Sequence, residues 1–139
     1  MKKITSLLLL LVSSITLLKG ALLAAVQPIV EVPFKMQHQH MFFQMKISDS
    51  RPLNFVFDTG AGMAVLNPKT AQELGIATAG TLRAQGVGGM VTAPRYVGLR
   101  LSMGQVNLRV NAIGFPVQHL EHKLGRSIDG IIGADFLVR

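Results

Sequence analysis

The sequence contains no cysteine, no tryptophan and a single tyrosine. Without cysteine the chain forms no disulfide, no thiolate nucleophile and no cysteine-ligated zinc or iron–sulfur site. Aromatic residues make up only 6% of the chain, which argues against a base-stacking platform for nucleic acid. Charged residues are also scarce, at 15%, whereas hydrophobic residues reach 49%, a balance that argues against intrinsic disorder.

The formal net charge of +7 over 139 residues overstates how basic the body of the chain is. Three of the 14 basic residues, Lys2, Lys3 and Lys19, lie in an apolar N-terminal stretch without acids, and the rest of the chain holds 11 basic and 7 acidic residues. These charges are dispersed and form no basic run. They favour solubility and do not form the patch that binds nucleic acid, so we expect no nucleic-acid partner.

The N-terminal segment has the pattern of an export signal. Lys2 and Lys3 precede residues 4–18, which are mostly Leu, Ile and Val, and Lys19 ends the run. Fifteen helical residues would span roughly 22 Å, less than the ~30 Å of a bilayer core. We predict that residues 1–25 are a signal peptide directing the chain to the periplasm or the medium. Because the cleavage site is poor, an uncleaved membrane anchor stays open as the alternative.

Residues 26–139 are predicted to form one all-β domain with one or two short helices. Gly and Pro interrupt short apolar runs at close intervals, as is typical of strands joined by turns. Strands are predicted over residues 29–33, 41–47, 53–57, 65–66, 81–85, 91–101, 106–113 and 128–132. Asn67 as N-cap, Pro68 at the first position and Gly75 past the end predict a helix between them. We interpret residues 119–127 as a polar loop and expect another helix to begin at Ala134.

The candidate catalytic residue is Asp58, which directly follows the apolar strand at 53–57. An ionised carboxylate beside a buried strand is costly, so it needs a partner or a function. Thr59 supplies a hydroxyl, and Gly60 permits a close approach of another chain that a Cβ would block. The same Asp-Thr-Gly tripeptide also suits an ordinary Asx turn, so by itself it leaves both interpretations open.

Three segments resemble the retropepsin-like aspartic proteases, the single-lobe relatives of pepsin. The apolar strand followed by Asp58-Thr59-Gly60-Ala61 resembles the active-site loop of that family. Ile131-Ile132-Gly133 resembles its late strand, which crosses behind the loop, and Ile132 lies 74 residues after Asp58. Gly86-Val87-Gly88-Gly89-Met90 falls where the family carries its flap. The leader followed by Val32-Pro33-Phe34 makes the exported bacterial members the nearest likeness.

This resemblance implies a single-lobe acid-protease barrel that hydrolyses peptide bonds with a pair of aspartates and with no metal or cofactor. One carboxylate draws a proton from a water molecule while the other hydrogen-bonds to the substrate carbonyl. Only one Asp-Thr-Gly occurs, so the second carboxylate would be Asp58 of another copy in a homodimer, with Thr59 bracing the two-fold axis. Asp129 is interpreted as a turn residue and Asp135 as a first-turn acid of a helix.

Chains of this family normally continue into terminal strands beyond the helix that would begin at Ala134, whereas this sequence ends at Arg139. We therefore expect a domain that is incomplete at its C-terminus. A truncated or non-catalytic domain that binds peptides or partner proteins in the same cleft is the alternative function. A membrane-tethered structural module is a third possibility, but it requires an uncleaved leader and gives Asp58 no role.

Other candidate sites are weaker. His38 and His40 alternate as on one strand face, but no third ligand lies near them in sequence, so an exposed polar strand or tip is the favoured interpretation. His119-Leu120-Glu121-His122 lacks the His-Glu-x-x-His spacing of zinc proteases, and no Gly-x-Ser-x-Gly occurs. The glycines at 86–89 are not followed by the helix of a dinucleotide site. A peptide or protein substrate and a second copy of the chain are the expected partners.

Overall fold

The computed structural model describes residues 31–86 and 88–136. The predicted leader, together with 26–30, Val87 and 137–139, lies outside these residues. Strands in the described part, in chain order, are β1 (Phe34–Gln37), β2 (His40–Ile47), β3 (Leu53–Phe57), β4 (Ala64–Leu66), β5 (Thr81–Gly86), β6 (Gly89–Met103), β7 (Val106–Gly114) and β8 (Gly130–Ile132). The helices are α1 (Pro68–Glu73), α2 (Gln118–Leu124) and a 3-10 turn (Ala134–Phe136).

The eight strands form one sheet in the order β1-β2-β3-β8-β4-β7-β6-β5, and a further pairing of β2 with β6 closes it into a ring. This architecture confirms the prediction of an all-β fold. The short strand β8 lies between β3 and β4, parallel to the first and antiparallel to the second. Because β3 and β4 are consecutive in sequence but separated by β8, the loop that joins them must pass over the end of β8. That loop contains Asp58.

The central strand β3 is buried on both faces, which explains why its sequence is nearly all apolar. Phe55 points into the main core, formed by buried side chains of six strands, whereas Val56 belongs to a second cluster with Phe42, Leu124 and Ile128. A fully buried Phe or Leu contributes about 2 kcal/mol of hydrophobic stabilisation. With cores on both sides, β3 is a rigid base for the loop that follows it.

Helix α1 forms as the sequence predicts. The side chain of Asn67 accepts a hydrogen bond from the Lys69 N–H at 3.1 Å, and Pro68 occupies the first turn, where no backbone donor is needed. Gly75 follows the last turn with φ of +64°, a conformation that glycine adopts without strain. The helix therefore begins and ends where local chemistry dictates.

The prediction of a polar loop over residues 119–127 is wrong, because 118–124 form helix α2. Leu120 and Leu124 lie four residues apart on one face and pack against the second cluster, which the polar residues around them conceal in the sequence. No side chain caps the start of α2 at Val117, so the sequence lacks the N-cap signal by which the start of a helix is predicted. Gly125, with φ of +62°, ends it.

The observed strands differ from the predicted ones mainly at β1 and β8. Residues 31–33 are not in a strand, and β1 begins at Phe34 instead. His38 and Gln39 form the turn between β1 and β2 with φ of +48° and +64°, so His38 and His40 do not share a strand face. Strand β8 begins only at Gly130, because Asp129 before it is committed to side-chain contacts with other elements. A 3-10 turn starts at Ala134, and its continuation lies outside the described residues.

Candidate active site

The Asp58 loop is tied to the end of β8. The Asp58 N–H donates to the Ile132 carbonyl at 3.0 Å, and the Ala134 N–H donates to the Ala61 carbonyl at 2.7 Å. The first bond fixes the start of the loop and the second fixes its other side, so β8 and the 3-10 turn after it hold the loop at two points. Rigid backbone support of this kind holds a reactive group in a fixed geometry.

Gly133 is the residue over which the loop closes. A Cβ at this position would lie 2.5 Å from the Ala61 carbonyl oxygen and 2.8 Å from the Met63 carbonyl oxygen. Both neighbours are backbone atoms, which cannot move aside as a flexible side chain can. Glycine is therefore required here for the loop to cross β8 so closely, which gives the predicted loop-supporting segment Ile131-Ile132-Gly133 a physical reason.

The loop presents the Asp58 carboxylate to solvent. Oδ1 of Asp58 accepts a hydrogen bond from the Gly60 N–H at 2.9 Å, and the Ala61 N–H donates to the Asp58 carbonyl at 3.1 Å. The segment is thus an Asx turn whose carboxylate stays exposed, so the two interpretations that the tripeptide left open are compatible. Thr59 is exposed beside it.

Asp58 lies in a cleft of about 730 Å³ between its own loop and the β5–β6 hairpin. Apolar side chains make up most of the wall: Met63, Val65, Ala84, Val91, Ile113 and Phe115. Gln85 adds an amide, and Asp58 is the one carboxylate among the described residues that line the cleft. A concave, mostly apolar site with one charged group has the character of a ligand-binding cleft.

The predicted flap corresponds to the tip of the β5–β6 hairpin. Gly86 pairs with Gly89, and Gly86 and Gly88 line the cleft together with the Asp58 loop. Phe115, from the other wall, lies about 3.8 Å from where a Cβ of Gly86 would be. Met90 does not line the cleft and is 55% exposed, and Val87 lies outside the described residues. The hairpin therefore lines one side of the cleft with glycines at its tip and with the side chains of Ala84, Gln85 and Val91 below it.

Sequence reasoning missed most of the cleft wall. Met63 and Val65 follow the Asp58 loop, Ala84 and Val91 flank the flap, and both pairs could have been found by extending the flap and loop predictions by a few residues. Ile113 lies in β7 and pairs with Val65 of β4, and Phe115 directly follows β7, so both are distant from Asp58 in sequence but adjacent to its loop in the sheet. No local pattern connects that strand end to Asp58, so only the three-dimensional fold reveals it.

Asp129 does not lie in a turn, so its interpretation as a turn residue is wrong. Its carboxylate is buried and contacts Arg51, Thr70 and the backbone N–H of Asn54. Arg51 also pairs with Glu73 at 2.9 Å. The hydrogen bonds that Arg51 donates to Glu73 and Asp129 raise the pKa of Arg51 above its ordinary value, and the bonds that Glu73 accepts from Arg51 lower the pKa of Glu73.

Neither a metal site nor a membrane-spanning helix occurs in the part of the chain that the structure describes. Over residues 31–86 and 88–136, no three His, Asp or Glu side chains converge in a way that could hold a metal ion. In the same residues, no helix is both long enough and apolar enough to cross a bilayer.

Comparison with known families agrees with this geometry. A family described as aspartyl protease matches residues 43–136, a stretch that runs from β2 through the Asp58 loop and the flap to the turn after β8. The match covers most of the chain, and the protein belongs to the aspartyl protease family. The likeness to the single-lobe retropepsin type is consistent with this assignment. No curated protein matches the chain.

Proposed function

We propose that the protein is an aspartic endopeptidase in which Asp58 of two copies forms the catalytic pair. The placement of Asp58 carries this proposal, because an exposed carboxylate on a loop gripped by β8 faces an apolar cleft. Membership of the aspartyl protease family supports it. The buried side chains under the loop explain how the carboxylate would keep its position during turnover.

A second copy is needed because hydrolysis of this type uses two carboxylates and the described cleft contributes one. Asp129 is a poor substitute, since its two oxygens already accept hydrogen bonds from three other residues. A two-fold axis beside the exposed Asp58 and Thr59 would bring two identical loops together. Two carboxylates about 3 Å apart cannot both ionise easily, so the pair keeps one proton.

The chemistry then needs only the pair, a water molecule and the peptide. The ionised carboxylate takes a proton from the water as its oxygen attacks the carbonyl carbon, and the protonated carboxylate hydrogen-bonds to the carbonyl oxygen. The carboxylate that took the proton from the water then gives it to the amide nitrogen. The C–N bond breaks, the amine and the carboxylic acid are released, and the pair is again one ionised and one protonated carboxylate. The glycine-rich hairpin would close over the substrate and keep bulk water away during these steps.

The Asp58→Asn variant tests the site. The amide keeps the size of the side chain and the bond from the Gly60 N–H but removes the acid, so we expect peptidase activity in mildly acidic buffer to fall by more than about 100-fold. Asp49→Asn, in the exposed turn between β2 and β3, is the matched control and should keep full activity. A hydroxyl-containing transition-state mimic should inhibit the wild type, and a metal chelator should not. Equal activity in Asp58→Asn and wild type would exclude Asp58 as the catalyst.

Mixing the two proteins tests the shared pair. If two chains form one site, an excess of Asp58→Asn should draw wild-type chains into inactive mixed dimers and lower their activity. Specific activity should also fall on dilution, which sedimentation at the same concentrations would relate to the dimer population. Full activity in a strict monomer would exclude the shared pair. Peptide binding without any cleavage by the wild type would instead favour the non-catalytic alternative.

A further inference from the structure

We infer that Asp129 is a positioning residue for the Asp58 loop. It fixes the register of β8 against β3, and β8 in that register accepts the hydrogen bond from the Asp58 N–H. The inference rests on the proposed function only in taking Asp58 as the catalytic group. Asp129 does not line the cleft and is placed at the opposite end of β8 from the loop. Its effect on the reaction would therefore pass through the strand.

The Asp129 carboxylate is the meeting point of several donors. Its Oδ2 accepts from the Asn54 N–H at 2.7 Å, and its Oδ1 accepts from the Thr70 hydroxyl at 2.9 Å and from the Arg51 guanidinium at 3.0 Å. A second Arg51 nitrogen donates to Oδ2 at 3.3 Å. With the residue only 5% exposed, these bonds are sheltered from water and hold the carboxylate in one orientation.

The same residue is also held by its backbone. Its N–H donates to the Asn54 carbonyl at 2.8 Å, and its carbonyl accepts from the Asn67 N–H at 2.8 Å. Asn54 belongs to β3, and Asn67 caps α1 directly after β4. Asp129 thus joins, at one point, the two strands between which β8 must insert.

Strand β8 needs the contacts of Asp129 to fix its register, because it is short and begins with a glycine. It has three residues, and its first is Gly130, which has no side chain to fix it. Gly130 pairs with Phe55 and Ile132 pairs with Phe57, after which the Ile132 carbonyl receives the Asp58 N–H. A slip of one residue in this register would turn side chains to the opposite face and remove the acceptor for Asp58. The carboxylate at position 129 opposes that slip.

Glu73 contacts Arg51 but not Asp129, so a change at Glu73 tests the surroundings of Asp129 without touching Asp129 itself. Glu73 binds the outer side of Arg51, and both side chains of that pair are about half exposed. Exposed ion pairs contribute little and are screened by salt. Glu73 can therefore be changed without removing a contact to Asp129, which makes it the matched control.

Three variants of the full chain test the inference kinetically. Asp129→Asn keeps the shape but turns one acceptor into a donor that faces other donors, so we expect kcat to fall at least about tenfold with KM changed less than twofold, because the cleft wall is untouched. Thr70→Val removes only the hydroxyl donor and should lower kcat about threefold. Glu73→Gln should leave kcat unchanged. If Asp129→Asn does not fold, Thr70→Val decides the kinetic question.

Amide hydrogen exchange gives a measurement that does not depend on catalysis. In Asp129→Asn or Thr70→Val we expect the Asp58 and Gly60 amides to exchange about tenfold faster, while amides of the β6–β7 pair keep their wild-type rates. Equal acceleration in both places, or unchanged kcat and loop exchange, would overturn the inference and leave Asp129 with a purely structural role. If Asp58→Asn stays active, the proposed function fails, yet the exchange result still decides whether Asp129 positions the loop.

Discussion

Two aspartates beside neighbouring strands of the same sheet have opposite environments. Asp58 directly follows β3 and Asp129 directly precedes β8, and these two strands pair in parallel. Asp58 is exposed in a cleft and accepts one hydrogen bond from its own loop, whereas Asp129 is buried and accepts bonds from three residues distant in sequence. A carboxylate with its oxygens occupied is a structural clamp, and one that faces water is available for proton transfer.

Substitution of the glycine beside each aspartate, Gly130 and Gly60, is expected to give the largest difference in folding stability. A Cβ on Gly130 would lie 2.4 Å from the Phe55 ring and 2.6 Å from the Val65 carbonyl oxygen, whereas one on Gly60 would meet only the Asp58 carboxylate, at 3.1 Å. We expect Gly130→Ala to destabilise the fold by about 3 kcal/mol. Gly60→Ala should affect stability by less than about 1 kcal/mol but should lower activity, because it displaces the carboxylate. Denaturant unfolding of both variants checks this, and equal destabilisation would remove the contrast.

Truncating the aspartates themselves comes next in size. Asp129→Ala leaves the Thr70 hydroxyl and the Asn54 N–H without this acceptor and leaves Arg51 with Glu73 as its remaining carboxylate partner, so we expect a loss of about 2 kcal/mol in the free energy of unfolding. Asp58→Ala removes an exposed side chain and should change stability by no more than about 0.5 kcal/mol. Thermal and denaturant unfolding measure both values. A larger loss for Asp58→Ala would mean that the Asx turn, and not a reaction, explains that residue.

On the opposite wall of the cleft, Gly88 and Gly89 at the tip of the β5–β6 hairpin can be compared in the same way. Gly89 has φ of +112°, which side-chain-bearing residues rarely adopt, whereas Gly88 has open space around it and no such strain. We expect Gly89→Ala to lower stability by about 1 kcal/mol and to slow turnover more than Gly88→Ala does. Kinetics and melting curves of the two variants give the comparison. If Gly89→Ala melts early with unchanged turnover, the tip is an ordinary turn and not a lid.

The smallest effect concerns the pH dependence of the Arg51–Glu73 pair. The bond from Arg51 lowers the pKa of Glu73 below its ordinary value of 4.5, so the pair contributes stability above that pH and loses it as the pH falls through the lowered pKa. The difference in melting temperature between wild type and Glu73→Gln should be constant from pH 7 to about 5 and should shrink below that. A difference that grows on acidification would contradict the pairing.

Much of the site could be predicted because its parts are local. An apolar strand followed by Asp58-Thr59-Gly60, a helix that begins at Asn67 and a hairpin tip rich in glycine each show their structure within a few residues. The family resemblance then placed the Ile131-Ile132-Gly133 strand behind the loop, and the pairing of β8 with β3 has that arrangement. The export signal and the homodimer stay predictions.

The errors have one physical cause, which is that their determinants are distant in sequence. Helix α2 looks polar because only Leu120 and Leu124 face the core, and their partners Phe42 and Val56 belong to other elements. Asp129 looks like a turn residue because Asp-Gly favours turns, yet its donors Arg51, Asn54 and Thr70 come from 59 to 78 residues away. Local chemistry cannot show that a carboxylate will be buried among such partners.

By itself the sequence determined the strand that ends at Asp58, the capped helix α1 and the glycines that allow close crossings, because these depend on periodicity and on backbone preferences of single residues. The sequence also singled out Asp58 as the catalytic candidate, but only the tertiary structure decided that Asp129 is buried and joins the strands on either side of β8. Insertion of β8 between β3 and β4 buries Asp129 among donors that satisfy it, and the same insertion forces the Asp58 loop outward over Gly133. The environment of a carboxylate is set by what the fold packs around it, not by its neighbours in the chain.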